Sequence, residues 1–178
     1  MSLLPISTIR PIRRAEPPAT LRLHAVATRG SGGAIVSAEW PIDGRKLVTD
    51  IERFAYAAGP IVRRIRELRA ADPDCPFVVD MEGLGDAVWE LLDKPRRRSG
   101  WWLYDKHGHE RQELTRVLLV AVERAEFTFA AALAEEPAMR KALVALTRNV
   151  REDGPGSELA VALSLALDDH RPRPPRIL

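Results

Sequence analysis

Apolar residues fall along this chain in two rhythms, and the switch between them predicts the order of its elements. Leu21 to Thr28 and Ala34 to Trp40 are short apolar-rich runs on either side of Arg-Gly-Ser-Gly-Gly at 29 to 33. That is the pattern of two strands joined through a glycine turn. Pro41 to Gly44 marks a second turn. Lys46 to Phe54 then alternates Leu47, Thr49, Ile51 and Arg53 with Val48, Asp50, Glu52 and Phe54, which predicts a third strand. After Gly59-Pro60 the spacing lengthens. Ile61, Ile65 and Leu68 recur at helical intervals with Arg63, Arg64, Arg66 and Arg69 on the other faces, an amphipathic helix with proline near its first turn.

Pro73 and Pro76 stop that helix, and Phe77-Val78-Val79 is a continuous apolar run of the kind a strand buried on both faces carries. Gly83 and Gly85 lead into a helix with Val88, Leu91 and Leu92, ended by Pro95, and Trp101 to Tyr104 reads as a further strand. Leu114, Val117, Leu118 and Ala121 mark a helix between Glu110 and Arg124, and Phe127 and Phe129 suit a short extended piece. Leu143, Leu146 and Val150 mark another helix, and Leu159 to Leu167 a last one. Three antiparallel-type strands followed by alternating helices and strands predict an α/β fold, a mixed sheet covered by helices. Ahead of it, Pro5, Pro11, Pro17 and Pro18 among Arg10, Arg13 and Arg14 make residues 1 to 20 an extended arm. The expected division is an arm over 1–20, one domain over 21–170 and a tail over 171–178.

Composition narrows the class without naming a function. The 178 residues suit one domain with a real core, and 46% hydrophobic with 29% charged residues is an ordinary globular balance. A formal charge of +2, from 27 basic and 25 acidic residues, identifies no nucleic-acid binder by itself. Cys75 is the single cysteine, so neither an internal disulfide nor a cysteine-based zinc site can form, which fits a reducing, cytoplasmic setting. The longest apolar runs, Val117 to Val122 and Leu159 to Leu167, fall well short of the ~20 residues of a membrane helix.

The segment richest in chemistry is Phe77-Val-Val-Asp80-Met-Glu82-Gly83-Leu-Gly85-Asp86-Ala-Val88. A buried strand ends on a carboxylate, glycines turn the chain, and a helix follows. Ligands of open α/β sheets gather outside the carboxyl ends of strands. An acid held there supplies the rigid oxygen donor that a hard divalent cation needs, and a pair of such ions supports phosphodiester hydrolysis. An aspartate in this place reads equally as a cap for the helix that follows. The Gly-x-Gly spacing is not a dinucleotide fingerprint, because Val88 stands where a third glycine belongs, and no phosphate-binding G-x-x-x-x-G-K-[ST] loop occurs.

From Phe77 to about His170 the order of motifs resembles the nuclease domain of phage terminase large subunits. The Val-Val-Asp-x-x-Gly-x-Gly turn is followed by Arg111-Gln112-Glu113-Leu114, by Phe127-Thr128-Phe129, and by Gly156-Ser157-Glu158-Leu159-Ala160-Val161-Ala162 ahead of the last helix. The resemblance implies an RNase H-like fold, a mixed five-stranded sheet flanked by helices, without the ATPase domain that drives packaging. It implies Asp80 and Glu158 as catalytic and metal-binding acids facing each other across a cleft, with Glu82 and Asp86 as neighbouring substitutes and Mg2+ or Mn2+ as cofactor. It also exposes a deficit. The family's first acid sits on the first strand, where Leu23-His24-Ala25-Val26-Ala27-Thr28 carries no carboxylate, and Ser157-Glu158 replaces a pair of aspartates. His24 is the one polar substitute on that strand, and it also reads as a packed core residue.

Three functions follow as expectations. One is a degenerate terminase-nuclease-like domain that binds double-stranded DNA or a phage assembly protein. Another is an active metal-dependent endonuclease, and the third is a protein-interaction domain with no nucleic-acid role. Lys94-Pro95-Arg96-Arg97-Arg98 followed by Trp101-Trp102 joins positive charge to flat aromatic faces, the materials of backbone contact and base stacking. Arg96, Arg97, Arg98 and Trp101 are thus the candidate DNA contacts, although tryptophans in a strand are also ordinary core. His107-Gly108-His109 lacks a third metal ligand nearby, and Asp168-Asp169-His170 follows the apolar helix as a polar end.

Overall fold

The computed structural model describes residues 21–29, 32–40, 45–92, 100–104, 109–148 and 157–168. The chain order is β1 (Leu21–Arg29), β2 (Gly32–Trp40), β3 (Lys46–Ala55), α1 (Ala58–Ala71), β4 (Phe77–Asp80), α2 (Gly85–Leu91), β5 (Trp101–Tyr104), α3 (His109–Glu123), β6 (Phe127–Phe129), α4 (Glu136–Arg148) and α5 (Ser157–Leu167). The strands form one mixed sheet in the order β5-β4-β1-β2-β3-β6. β1, β2 and β3 are antiparallel, while β4 adds parallel to β1, β5 to β4 and β6 to β3. The α/β class and mixed sheet are as expected. The Phe127–Phe129 piece joins as a sixth strand beside β3, one more than the five anticipated.

The hairpin strands run longer than their apolar runs. Arg29 and Gly32 are paired residues of β1 and β2, so the ladder reaches into the expected turn. Residues 30 and 31, like the expected arm over 1–20 and tail over 171–178, lie outside the described residues.

Each face of the sheet has its own core. On one, Val26, Ile35, Phe77, Val79 and Trp101 pack with Ile61, Val62 and Ile65 of α1 and Val88 of α2. On the other, Leu23, Ala25, Ala27, Ala34, Val36, Ala38 and Val78 meet α5, with Leu118 of α3 and Met139 of α4 beyond. Residues 157–167 are buried along the entire length of α5. A helix without a polar stripe has no side to give to water, so it lies between the sheet and α3 and α4. Its carboxyl end is closed by polar groups of the sheet. Lys46 Nζ donates to Leu167 O, and Trp40 Nε1 donates to Ala166 O at 3.3 Å. The ammonium there complements the negative end of the helix dipole.

Candidate active site

The sheet places the candidate acids from strand parity alone. Side chains alternate between faces along a strand, so Asp80, two residues past Val78, shares the α5 face. The β1–β4 register pairs Val26 with Val79, and one residue further Ala27 stands beside Asp80 on that face. Arg29 follows two residues later, paired across to Gly32 on β2. Glu158, second residue of α5, sits over that rung: a Cβ built on Gly32 would lie 3.2 Å from Glu158 Oε1. Asp80 and Glu158 therefore lie on one face and at one end of the sheet.

The partner of Asp80 is a guanidinium. Arg29, on β1 between β4 and β2, donates from Nε and Nη2 to Asp80 Oδ2 at 3.0 and 2.8 Å. Its Nη1 donates to Glu82 Oε2 at 2.5 Å. The Arg29 side chain is 7% exposed and that of Asp80 1%, whereas Glu82 keeps 24%. Asp80 Oδ1 also accepts from the Glu82 backbone N–H at 3.2 Å. Asp80 does not cap α2, whose N-cap is Leu84 with no side-chain bond.

The turn carrying Glu82 is clamped to the end of β1 by Thr28. The Thr28 hydroxyl donates to Glu82 O at 3.0 Å and accepts from the Leu84 N–H at 2.7 Å. The two glycines of the motif serve this approach. Gly83 has φ +62° and a Cβ there would lie 2.2 Å from Thr28 O, while one on Gly85 would lie 2.1 Å from Asp80 O. The Gly-x-Gly spacing is thus a packing requirement of the strand–turn–helix unit.

Glu158 belongs to a separate pair. Its Oε1 accepts from Arg53 Nη2 at 3.3 Å, and Arg53 lies 3.9 Å from Glu135. Glu158 is 2% exposed, and its Oε2, like the neighbouring Ser157 Oγ, is buried without a hydrogen-bond partner among the described residues.

These donors do not fit a divalent cation. Among the described residues no group of three or more His, Cys, Asp or Glu side chains is arranged to hold a metal. Asp80 Oδ2 already accepts both guanidinium bonds. A divalent ion at the usual ~2.1 Å from that oxygen would lie within roughly 5 Å of Arg29, a repulsion of about 7 kcal/mol at an effective dielectric near 20.

The other expected contacts fall elsewhere. Trp101 is a core residue, which corrects its reading as a stacking platform for bases. It is 6% exposed; its ring lies 4.8 Å from that of Phe77, Trp89 meets it edge-on, and the Arg69 guanidinium sits over it at 4.8 Å. Phe77 and Trp89, the two rings it would need to shed, belong to the core under α1 and α2. Arg96, Arg97, Arg98 and His107 lie outside the described residues, and Asp86 is exposed in the first turn of α2. His24 is a packed residue of the opposite face. It shares a 2.8 Å hydrogen bond with Ser37 Oγ and lies against Phe77, and burial pulls its pKa from 6.5 down to about 4.

The sequence reading passed over Arg29, Thr28, Gly32 and Arg53. The available signal was an arginine closing an otherwise apolar strand, where a charge without a partner would be costly.

With this geometry established, comparison with known proteins adds the fold's relatives. No protein-family model matches the chain, and no curated protein matches it in sequence. Among solved structures it is similar to the large terminase nuclease from thermophilic phage G20c. The magnesium-bound form superposes with a TM-score of 0.60 at 16% identity, covering 84% of this chain and 82% of that one. A second structure of that nuclease gives 0.59 at 17% identity with the same coverage, and the cobalt-bound form 0.56 at 18%, covering 82% and 80%. The fold is therefore that of the phage large terminase nuclease domain, RNase H-like in class. No helix among the described residues is long and apolar enough to cross a membrane.

Proposed function

We propose that this domain is a phage-derived, terminase-nuclease-type module that holds duplex DNA in the cytoplasm without cutting it. One observation carries the reading: the acid at the tip of β4 is neutralised by Arg29, while the first strand, Leu21–Arg29, carries no carboxylate. Hydrolysis of a phosphodiester in this fold rests on a cluster of oxygen ligands gathering divalent ions. Here Asp80 and Glu82 are committed to a guanidinium, and Glu158 to Arg53. DNA as the partner is supported by the shared fold with a terminase nuclease and by the basic run Arg96, Arg97 and Arg98 that follows α2.

The full chain, incubated with supercoiled plasmid and Mn2+, is expected to leave it intact. It is expected to bind a labelled duplex with an affinity that falls as salt rises. Changing Arg96, Arg97 and Arg98 together to Ala should reduce the slope of log K against log salt by about 2 to 3, near 0.9 per phosphate contact. Nicking abolished by Asp80→Ala would replace this reading with that of an active endonuclease. Absence of any duplex binding would leave a protein partner in its place.

A further inference from the structure

We propose that Arg29 is the resident cation of this fold's acidic site: its guanidinium occupies the position and supplies the charge that a divalent ion would otherwise bring. The inference deepens the non-cutting reading above and rests on it for the kinship of the site.

The geometry has three parts. First, Arg29 reaches Asp80 with two nitrogens and Glu82 with the third, so one planar group bridges two carboxylates from the tip of β4 and the turn beyond it. A guanidinium has a fork of donors suited to this, which an ammonium lacks. Second, the bridge is enclosed, since Arg29 and Asp80 are both almost wholly buried. A charge there needs its partner, and a positive group of any kind would serve the two acids. Third, the strand that holds Arg29 carries no acid of its own. Ala27, on the same face and one rung beyond the Val26–Val79 pair, is 1% exposed and part of the apolar core. A strand without a carboxylate beside Asp80 and with a cation two residues on leaves the site two units less negative than one with an acid there and no arginine, which matches the charge of a divalent ion.

It follows that the acids should regain affinity for a divalent ion when the arginine is removed. The test is a titration of Mn2+ into the full chain, read by calorimetry and by the shift in melting temperature, with no nucleic acid present. Wild type is expected to bind no Mn2+ at millimolar concentration and to melt at the same temperature with or without it. Arg29→Ala should melt well below wild type in metal-free buffer, and Mn2+ should restore several degrees of that loss. Ala27→Asp combined with Arg29→Ala should bind at least tenfold tighter than Arg29→Ala, because it adds a carboxylate beside Asp80. Should Arg29→Ala fail to fold, Arg29→Gln, which removes the charge but keeps part of the side chain's length and two donors, carries the same comparison. Mn2+ binding by wild type that disappears in Asp80→Asn would overturn the proposal. So would an equal, null response of wild type and both Arg29 variants. These outcomes separate from the functional reading: a wild type that binds Mn2+ at Asp80 yet leaves plasmid intact sinks the guanidinium alone. A wild type that nicks plasmid in excess chelator sinks the functional reading alone.

Discussion

The two faces of the sheet bury polar groups in opposite ways. On the α1 face they sit near the rim and stay half in water. Glu52 takes Arg64 at 2.8 Å with both side chains partly exposed, and Arg64 also reaches Glu67 at 3.1 Å. His24 there keeps its ring neutral and bonds Ser37. On the α5 face three charged side chains, Arg29, Asp80 and Glu158, are sealed, and only their partners Glu82 and Arg53 reach water. Arg29 and Asp80 are enclosed together, and Glu158 is buried with one oxygen on Arg53. The first arrangement tolerates loss of a partner because water replaces it. The second does not, because removing one partner leaves a buried charge uncompensated.

Four measurements would break or sharpen this contrast. The largest effect belongs to Asp80→Ala, which leaves the buried Arg29 guanidinium with the partly exposed Glu82 alone. A loss of about 3 to 5 kcal/mol in urea unfolding is expected, and a cost below ~1 kcal/mol would show the pair to be effectively solvated. Next comes Gly83→Ala, whose Cβ would enter both a left-handed backbone conformation and the Thr28 carbonyl. A loss of at least about 2 kcal/mol should follow, and a variant as stable as wild type would mean the turn is not clamped.

His24 comes third and depends on pH. Its folded pKa, about 4, lies below its ordinary value of 6.5, chiefly because burial disfavours the imidazolium, with Arg64 and Arg69 adding to this and Asp72 and Asp50 opposing it. Above pH 6.5 neither state takes the proton and the stability is intact. Between 6.5 and 4 only the unfolded chain does, so stability falls with pH, then levels off below 4. At ~1.4 kcal/mol per unit, discounted for the ring's partial exposure, the loss should be about 2 kcal/mol. His24→Gln should flatten that part of the pH curve, and an unchanged slope would assign it to other groups. Smallest is Arg64→Ala at the rim, expected to cost under ~1 kcal/mol in the same denaturation experiment. A cost matching that of Asp80→Ala would erase the difference between the two faces.

Much of the architecture was legible because it is local. Apolar runs on either side of a glycine turn located β1 and β2, alternation located β3, the Ile61–Ile65–Leu68 spacing located α1, and an apolar run ending in Asp80 located both β4 and the acid at its tip. Glu158 was found through the likeness of its surroundings to a terminase motif, and it falls on the same face and end as Asp80. The tryptophans were ambiguous in sequence because a flat ring serves a core as well as a base stack. Packing against Phe77 and Arg69 decided for the core at Trp101.

The sequence by itself thus determined the elements, their order and the position of the acids on them, since each depends on residues a few places apart. Only the tertiary structure decided what those acids touch. Arg29 and Asp80 are 51 residues apart in the chain and meet because β4 adds parallel to β1, a pairing that no periodicity records. Whether a carboxylate at a strand tip faces an ion, a phosphate or a guanidinium depends on which neighbour the sheet brings beside it, and in this protein it brings an arginine.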